Sequence, residues 1–242
     1  PDDDQNSNVL LFSKDGKYLI IRDSRNANTS RLVRLDIETG KMDVLASDPI
    51  YDVTAVMTNP DTLKIESVTF LKEKIERVIL DKSIEPDIKA IKKLDSGEYF
   101  ITGRDLADKI WLVGFNKDNG PITYYQYNRK NKKGVLLIDT MPELNKYKLA
   151  TVEPISFKSR DGLTIHGYIA FPPGVEKKNL PMVLNVHGGP WGRDTWGLNP
   201  ETQWITNRGY LSLQVNFRGS TGYGKDFVNA GNRQWSGKMH DD

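Results

Sequence analysis

Cysteine is absent from the 242 residues, which removes disulfides, thiolate nucleophiles and cysteine-ligated metals from consideration together. Histidine is scarce: three scattered copies cannot form a metal constellation, so neither a metal nor any other cofactor is expected. No apolar run approaches the roughly 20 residues of a membrane-spanning helix. Charge of one sign is also lacking, since 34 Lys and Arg stand against 32 Asp and Glu for a net +2. No global field draws in nucleic acid or an anionic membrane, and neither is an expected partner. The start, Pro1-Asp2-Asp3-Asp4, has neither the basic residues nor the apolar core of a signal peptide, and no initiating Met. Together with the missing cysteines this points to a reducing, cytoplasmic setting.

What is present is an ordinary globular composition, 38% hydrophobic and 27% charged. From Asn8 to about Asp139 short strands alternate with turn residues. Val9–Phe12 and Lys17–Arg22 flank Ser13-Lys14-Asp15-Gly16, whose Asp-Gly pair favours a tight hairpin. A second hairpin joins Leu32–Leu35 to Met42–Leu45 through Ile37-Glu38-Thr39-Gly40. A third runs from Ile122–Tyr127 through Asn128-Arg129-Lys130-Asn131 to Val135–Ile138. Leu35 and Tyr127 hold equivalent places about two 46-residue units apart, so a middle copy is expected near Asp81. Arg77–Asp81 is strand-like there, but Glu85–Leu94 has a helical pattern where a strand should follow. A period of 40 to 50 residues with several strands per unit suits about three propeller blades. A β-sandwich fits this half equally well.

From Val152 the period changes. Ile155–Ser159 and Leu163–Phe171 flank Arg160-Asp161-Gly162 as a hairpin that Pro172-Pro173-Gly174 terminates. Met182–Val186 is an apolar run suited to a strand buried on both faces. Pro200–Arg208 is a helix with Asn199 as its cap and Gly209 as its stop. Tyr210–Phe217 is a further buried strand. Hairpin, strand, helix, strand opens an α/β sheet, because two buried strands separated by a helix usually run parallel.

Two loops carry the chemical signal. His187-Gly188-Gly189-Pro190-Trp191-Gly192-Arg193-Asp194 follows one of these strands, where open α/β sheets place ligands. It is the HGG type of loop that supplies oxyanion donors in α/β-hydrolases, although a glycine turn with a structural histidine would look the same. Asn216-Phe217-Arg218-Gly219-Ser220-Thr221-Gly222-Tyr223-Gly224 follows the other strand, and parallel strands present their carboxyl ends on one edge.

Together these loops resemble the peptidase domain of the prolyl oligopeptidase family, especially its acylaminoacyl-peptidase-like branch. The resemblance extends through GNRQWSGKMHDD, and backward through RDGLTIHGYIAFPPG and GPITYYQYNRKNKK, to cover nearly the whole chain. It implies β-propeller blades over residues 1–150, followed over 151–242 by an incomplete α/β-hydrolase domain. It also implies that Tyr223 donates its hydroxyl to an oxyanion, that His187, Gly188, Gly189, Pro190 and Trp191 form the oxyanion and substrate loop, and that Arg193 and Asp194 orient that loop or meet a peptide terminus. The second oxyanion donor would be the N–H after a nucleophilic serine.

That serine is missing. The family's serine sits on a G-x-S-x-G elbow and is followed by its acid and its histidine, yet no G-x-S-x-G occurs in the sequence. Ser220 and Ser236 lack the frame; His166, His187 and His240 do not match the family's base. The expectation is a fragment, inactive by itself, of a peptidase cleaving short or acylated peptides through an acyl-enzyme. A helix starting near Gly237 would be interrupted at Asp242, and an exposed edge at Val186 would invite a partner, oligomerisation or aggregation. An esterase or deacylase on the same scaffold, or a non-catalytic propeller binding module, are the alternatives. Trp191, Trp196, Trp204 and Trp235 are expected as core or loop anchors, with Trp191 also suited to a substrate entrance; Lys72, Lys74, Lys92 and Lys93 are expected on solvated faces.

Overall fold

The computed structural model describes residues 7–242, so the acidic start at residues 1–4 lies outside the described residues. The chain divides into two compact units: one takes the residues up to Ile84 together with 188–193 and 217–242, the other takes 85–187 and 194–216.

In the first unit, β1 (Asn8–Phe12), β2 (Tyr18–Asp23), β3 (Arg31–Asp36) and β4 (Met42–Ala46) form an antiparallel sheet in sequence order. Its first turn forms as the Asp-Gly pair predicts: Gly16 takes a φ of 71°, and the Ser13 hydroxyl accepts the N–H of Tyr18 at 2.9 Å. A second meander follows, β5 (Val53–Thr58), β6 (Ile65–Leu71) and β7 (Ile75–Ile79). Strand alternation turns Ile20 and Leu32 of the first sheet, and Val53, Ile65, Val68 and Phe70 of the second, into one buried cluster. Each such side chain contributes about 1.5–3 kcal/mol on burial.

In the second unit, β8 (Glu98–Arg104), β9 (Ile110–Asn116), β10 (Thr123–Asn128) and β11 (Lys133–Asp139) form another antiparallel meander. Leu35 and Tyr127 both lie in the third strand of their sheets, and β7, third in the middle sheet, ends two residues before the expected Asp81. Where a fourth strand would follow, the chain makes a 3₁₀ turn over Lys82–Ile84 and then α1 (Glu85–Ile91). Asp81 starts that turn by accepting the N–H of Ser83 at 3.0 Å, and Glu85 and Pro86 suit a helix start. The helix is fixed to its sheet through Asp87, which is 1% exposed. Its carboxylate accepts the Tyr127 hydroxyl at 2.9 Å, Nη2 of Arg129 at 3.1 Å and the Lys132 ammonium. Arg104 and Arg129 each stack on the Trp111 ring, at 4.3 and 4.6 Å.

The same unit holds a mixed sheet of β12 (Val152–Lys158), β13 (Thr164–Ala170), β14 (Met182–Asn185) and β15 (Leu211–Asn216), in the order β12-β13-β15-β14. β14 and β15 run parallel and α2 (Pro200–Thr206) connects them. The helix starts as the sequence predicts: the Asn199 side chain accepts the N–H of Thr202 at 2.9 Å, and Pro200 takes the first position. Trp196 anchors the core, its indole N–H donating to the Val152 carbonyl at 3.0 Å. Met182–Val186 carries the exposed edge expected at Val186: among the described residues β14 lies at the sheet edge, with Met182, Leu184 and Val186 all more than half exposed, and so is not buried on both faces. β15 holds the inner place, and its Ser212, Gln214, Val215 and Asn216 are buried instead. Among the described residues no helix is long and apolar enough to cross a membrane.

Candidate active site

The loop after β15 is closed by its own backbone. Ser220 donates to the Phe217 carbonyl from its N–H at 3.0 Å and from its hydroxyl at 2.7 Å, and Gly219 N–H donates to Phe227 O at 2.9 Å. Ser220 is fully buried in this role, as a structural serine would be. Arg218 fixes the loop from behind: Nε and Nη2 grip the two oxygens of Asp242 at 2.7 Å each, and its N–H adds a third bond at 2.9 Å. Bidentate charge-assisted contacts of this kind are strong and orienting. The loop then enters α3 (Lys225–Asn229), and the chain reaches α4 (Lys238–Asp241). Residues 188–193 lie in the same unit: Thr221 N–H donates to Gly192 O at 3.0 Å, and Pro190 is buried while Gly188, Gly189 and Trp191 are exposed.

Tyr223 sits where these segments meet the connections between strands of the first half. Its ring is 5% exposed and packs on Tyr51 at 5.7 Å and Phe227 at 5.1 Å between centroids, within the range of favourable aromatic pairs. The Arg193 guanidinium lies 4.0 Å over the Tyr223 ring and donates from Nη2 to the Lys72 carbonyl at 2.7 Å. Asp52 brackets the tyrosine: its N–H donates to Gly222 O, and its carboxylate accepts Gly224 N–H, both at 3.1 Å. Asn28 accepts the N–H of Lys225 with its carbonyl at 2.9 Å and that of Asp226 with its side chain at 2.8 Å.

Both glycines flanking Tyr223 are dictated by these neighbours. Gly222 has a φ of 89°, and a Cβ there would stand 2.6 Å from Nη1 of Arg193; Gly224 has a φ of 81°, and a Cβ there would stand 2.7 Å from Oδ1 of Asn28. A side chain at either place would carry both backbone strain and a clash.

His187 belongs to the other compact unit, where Asp194 is the notable group. Asn216 holds the Asp194 backbone with its side-chain amide, accepting the N–H at 2.7 Å and donating to the carbonyl at 3.0 Å. Gln214 donates to the Asp194 carboxylate at 2.9 Å, whose other oxygen is buried without a hydrogen-bond partner. Burial pushes this carboxyl above the ordinary aspartate value, while nearby His187 and the Gln214 bond pull it back. A cavity of about 420 Å³ in this unit is lined by Tyr147, Leu149, Pro173 and Trp204 among others; no predicted site residue borders it.

Sequence reasoning missed Asn28, Tyr51, Asp52 and Lys72. No local motif marks them, because Asn28 and Asp52 meet the 222–226 segment across 198 and 172 positions, and Lys72 meets Arg193 across 121. Lys72 corrects an expectation outright: it does not sit on a solvated face. Its ammonium bridges Asp48 and Glu76 at 2.9 Å each and lies 5.8 Å from the Tyr51 ring. Tyr51 in turn donates its hydroxyl to Glu73, and burial with that carboxylate raises the phenol well above its ordinary value.

Residues 196–242 match the model of the prolyl oligopeptidase family. Dipeptidyl aminopeptidase BIII of Pseudoxanthomonas mexicana is 38% identical over 235 residues, 94% of this chain and 34% of that protein. Dipeptidyl peptidase family member 6 of Caenorhabditis elegans is 31% identical over 256 residues, 96% of this chain and 35% of that protein. A puromycin-hydrolysing peptidase of Mycobacterium tuberculosis superposes with a TM-score of 0.71 at 18% identity, over 98% of this chain and 37% of that one. The acylaminoacyl peptidase of Pyrococcus horikoshii gives 0.62 at 22% identity, over 94% and 35%. These likenesses show the fold, propeller blades followed by the opening part of an α/β-hydrolase sheet. The chain spans about a third of the length of the curated relatives it matches. It belongs to the prolyl oligopeptidase family of serine peptidases.

Proposed function

We propose that the full-length protein is a serine peptidase cleaving short or acylated peptides, and that this chain supplies Tyr223 as one of its two oxyanion donors. The observation that carries this reading is the buried phenol of Tyr223, held between Tyr51, Phe227 and Arg193 directly after a strand of the hydrolase-type sheet. In the proposed reaction a serine outside these residues attacks the peptide carbonyl after giving its proton to a histidine. The carbonyl oxygen takes up the negative charge, and the Tyr223 hydroxyl donates to it. Collapse expels the amine, which receives the proton from the histidine, and leaves an acyl-enzyme for water to hydrolyse. A donor held rigidly before the charge forms costs no reorganisation during the step.

The substrate class follows the names of the relatives, dipeptidyl peptidases by sequence and acylaminoacyl peptidases by fold. The test is turnover of dipeptidyl anilides, N-acyl-aminoacyl anilides and simple esters by the full-length protein, combined with a fluorophosphonate probe and peptide mapping. Anilide cleavage with the label on a serine outside residues 1–242 is expected. Ester turnover alone would point to an esterase, a label on Ser220 or Ser236 would overturn the residue assignments, and no turnover with no label would point to a binding module.

A further inference from the structure

Arg193 is half-buried, and among the described residues nothing acidic neutralises its charge. Among the described residues no carboxylate pairs with its guanidinium, and its Nε and Nη1 are buried without hydrogen-bond partners. Among the described residues its guanidinium makes one hydrogen bond, from Nη2 to the Lys72 carbonyl. The acidic groups nearby are already engaged: Asp48 and Glu76 hold the Lys72 ammonium, and Glu73 accepts the Tyr51 hydroxyl. What faces the guanidinium is aromatic, the Tyr223 ring at 4.0 Å and the Tyr51 ring at 6.0 Å. Arginine stacks well on such rings and is more weakly hydrated than lysine. Even so, a partly buried cation without a carboxylate partner carries a desolvation cost.

We propose that Arg193 is a positioning residue for Tyr223: it clamps the phenol against Tyr51, anchors it to the Lys72 turn, and supplies positive charge that strengthens the hydroxyl as an oxyanion donor. A cation on the face of a phenol favours negative charge at its oxygen, and so favours donation to an oxygen that becomes an anion in the transition state. Gly222 fits this role, for any side chain there would meet Nη1 of Arg193. The inference rests on the oxyanion role proposed for Tyr223.

A double-mutant cycle in the full-length protein separates the two claims. Arg193→Met in the wild-type background is expected to lower kcat about tenfold with little change in KM. In a Tyr223→Phe background the same substitution should change kcat less than about twofold, because the hydroxyl it serves is gone. Arg193→Lys, which keeps the charge, should retain most of kcat and covers the case in which the methionine variant does not fold. Equal losses in both backgrounds, an unaffected kcat in the wild-type background, or a lysine variant as impaired as methionine would overturn the role of Arg193 and leave that of Tyr223 standing. A Tyr223→Phe variant with unchanged kcat would sink the oxyanion reading itself, and the role of Arg193 with it.

Discussion

Asp52 and Gly224 are joined by a hydrogen bond of 3.1 Å from the glycine N–H to the carboxylate, across 172 positions of sequence. The other carboxylate oxygen takes Ser30 N–H at 2.6 Å, and the Asp52 N–H reaches Gly222 O at 3.1 Å. One residue of the first half therefore sets the backbone on both sides of Tyr223. Asp52→Ala would leave two buried N–H groups without an acceptor and is expected to cost about 2–4 kcal/mol, read by denaturant unfolding of the full-length protein. Asp52→Asn, with one acceptor oxygen left, should fall between. A loss below about 0.5 kcal/mol in the alanine variant would contradict the bracket.

Gly222→Ala is expected to destabilise by about 2 kcal/mol or more, since a left-handed residue with a Cβ is strained and this Cβ would also displace Arg193. Gly16→Ala tests the two parts separately: its φ is 71° with nothing within 4 Å of the added atom, so it carries the strain alone. Thermal unfolding of both variants should rank Gly222→Ala as the more damaging.

Much of this arrangement is legible in the sequence, because its determinants are local. Asp15-Gly16 marks the first hairpin, Asn199-Pro200 starts α2, and the 46-residue spacing finds the third strand of each meander. What escapes is whatever depends on distant partners. Tyr223 is singled out by the family resemblance of its loop, yet Asp52, Asn28 and Tyr51 pack around it from connections whose residues carry no signature. Lys72 likewise looks like any surface lysine until Asp48 and Glu76 close on it.

Asp87 tests the helix that stands in place of a fourth strand. Asp87→Ala would leave the Tyr127 hydroxyl without its acceptor and Arg129 with Asp108 as its remaining carboxylate, at a position 1% exposed. Leaving a buried polar group unsatisfied typically costs about 1–3 kcal/mol. Unfolding of the full-length protein should show a loss of that order, and a variant as stable as wild type would contradict the account of why α1 docks.

Asp194 should give the pH signature. Burial raises its carboxyl in the folded protein, so between the ordinary and the raised value the folded state binds more protons than the unfolded state. Stability on this account falls as pH rises through that window. Asp194→Asn keeps an acceptor for Gln214 and removes the costly charge, so its melting temperature at about pH 7 should equal or exceed that of wild type. The advantage should vanish below the ordinary aspartate value of 3.8. A lower melting temperature at neutrality, recovering in acid, would mean that the charge is held favourably instead.

The oxyanion role is tested most directly by Tyr223→Phe in the full-length protein, with kcat and KM measured on a dipeptidyl anilide. The account expects kcat to fall about 10²- to 10³-fold with KM little changed, in a variant whose melting temperature stays close to wild type because the ring still packs on Tyr51, Phe227 and Arg193. An unchanged kcat in a folded variant would contradict it.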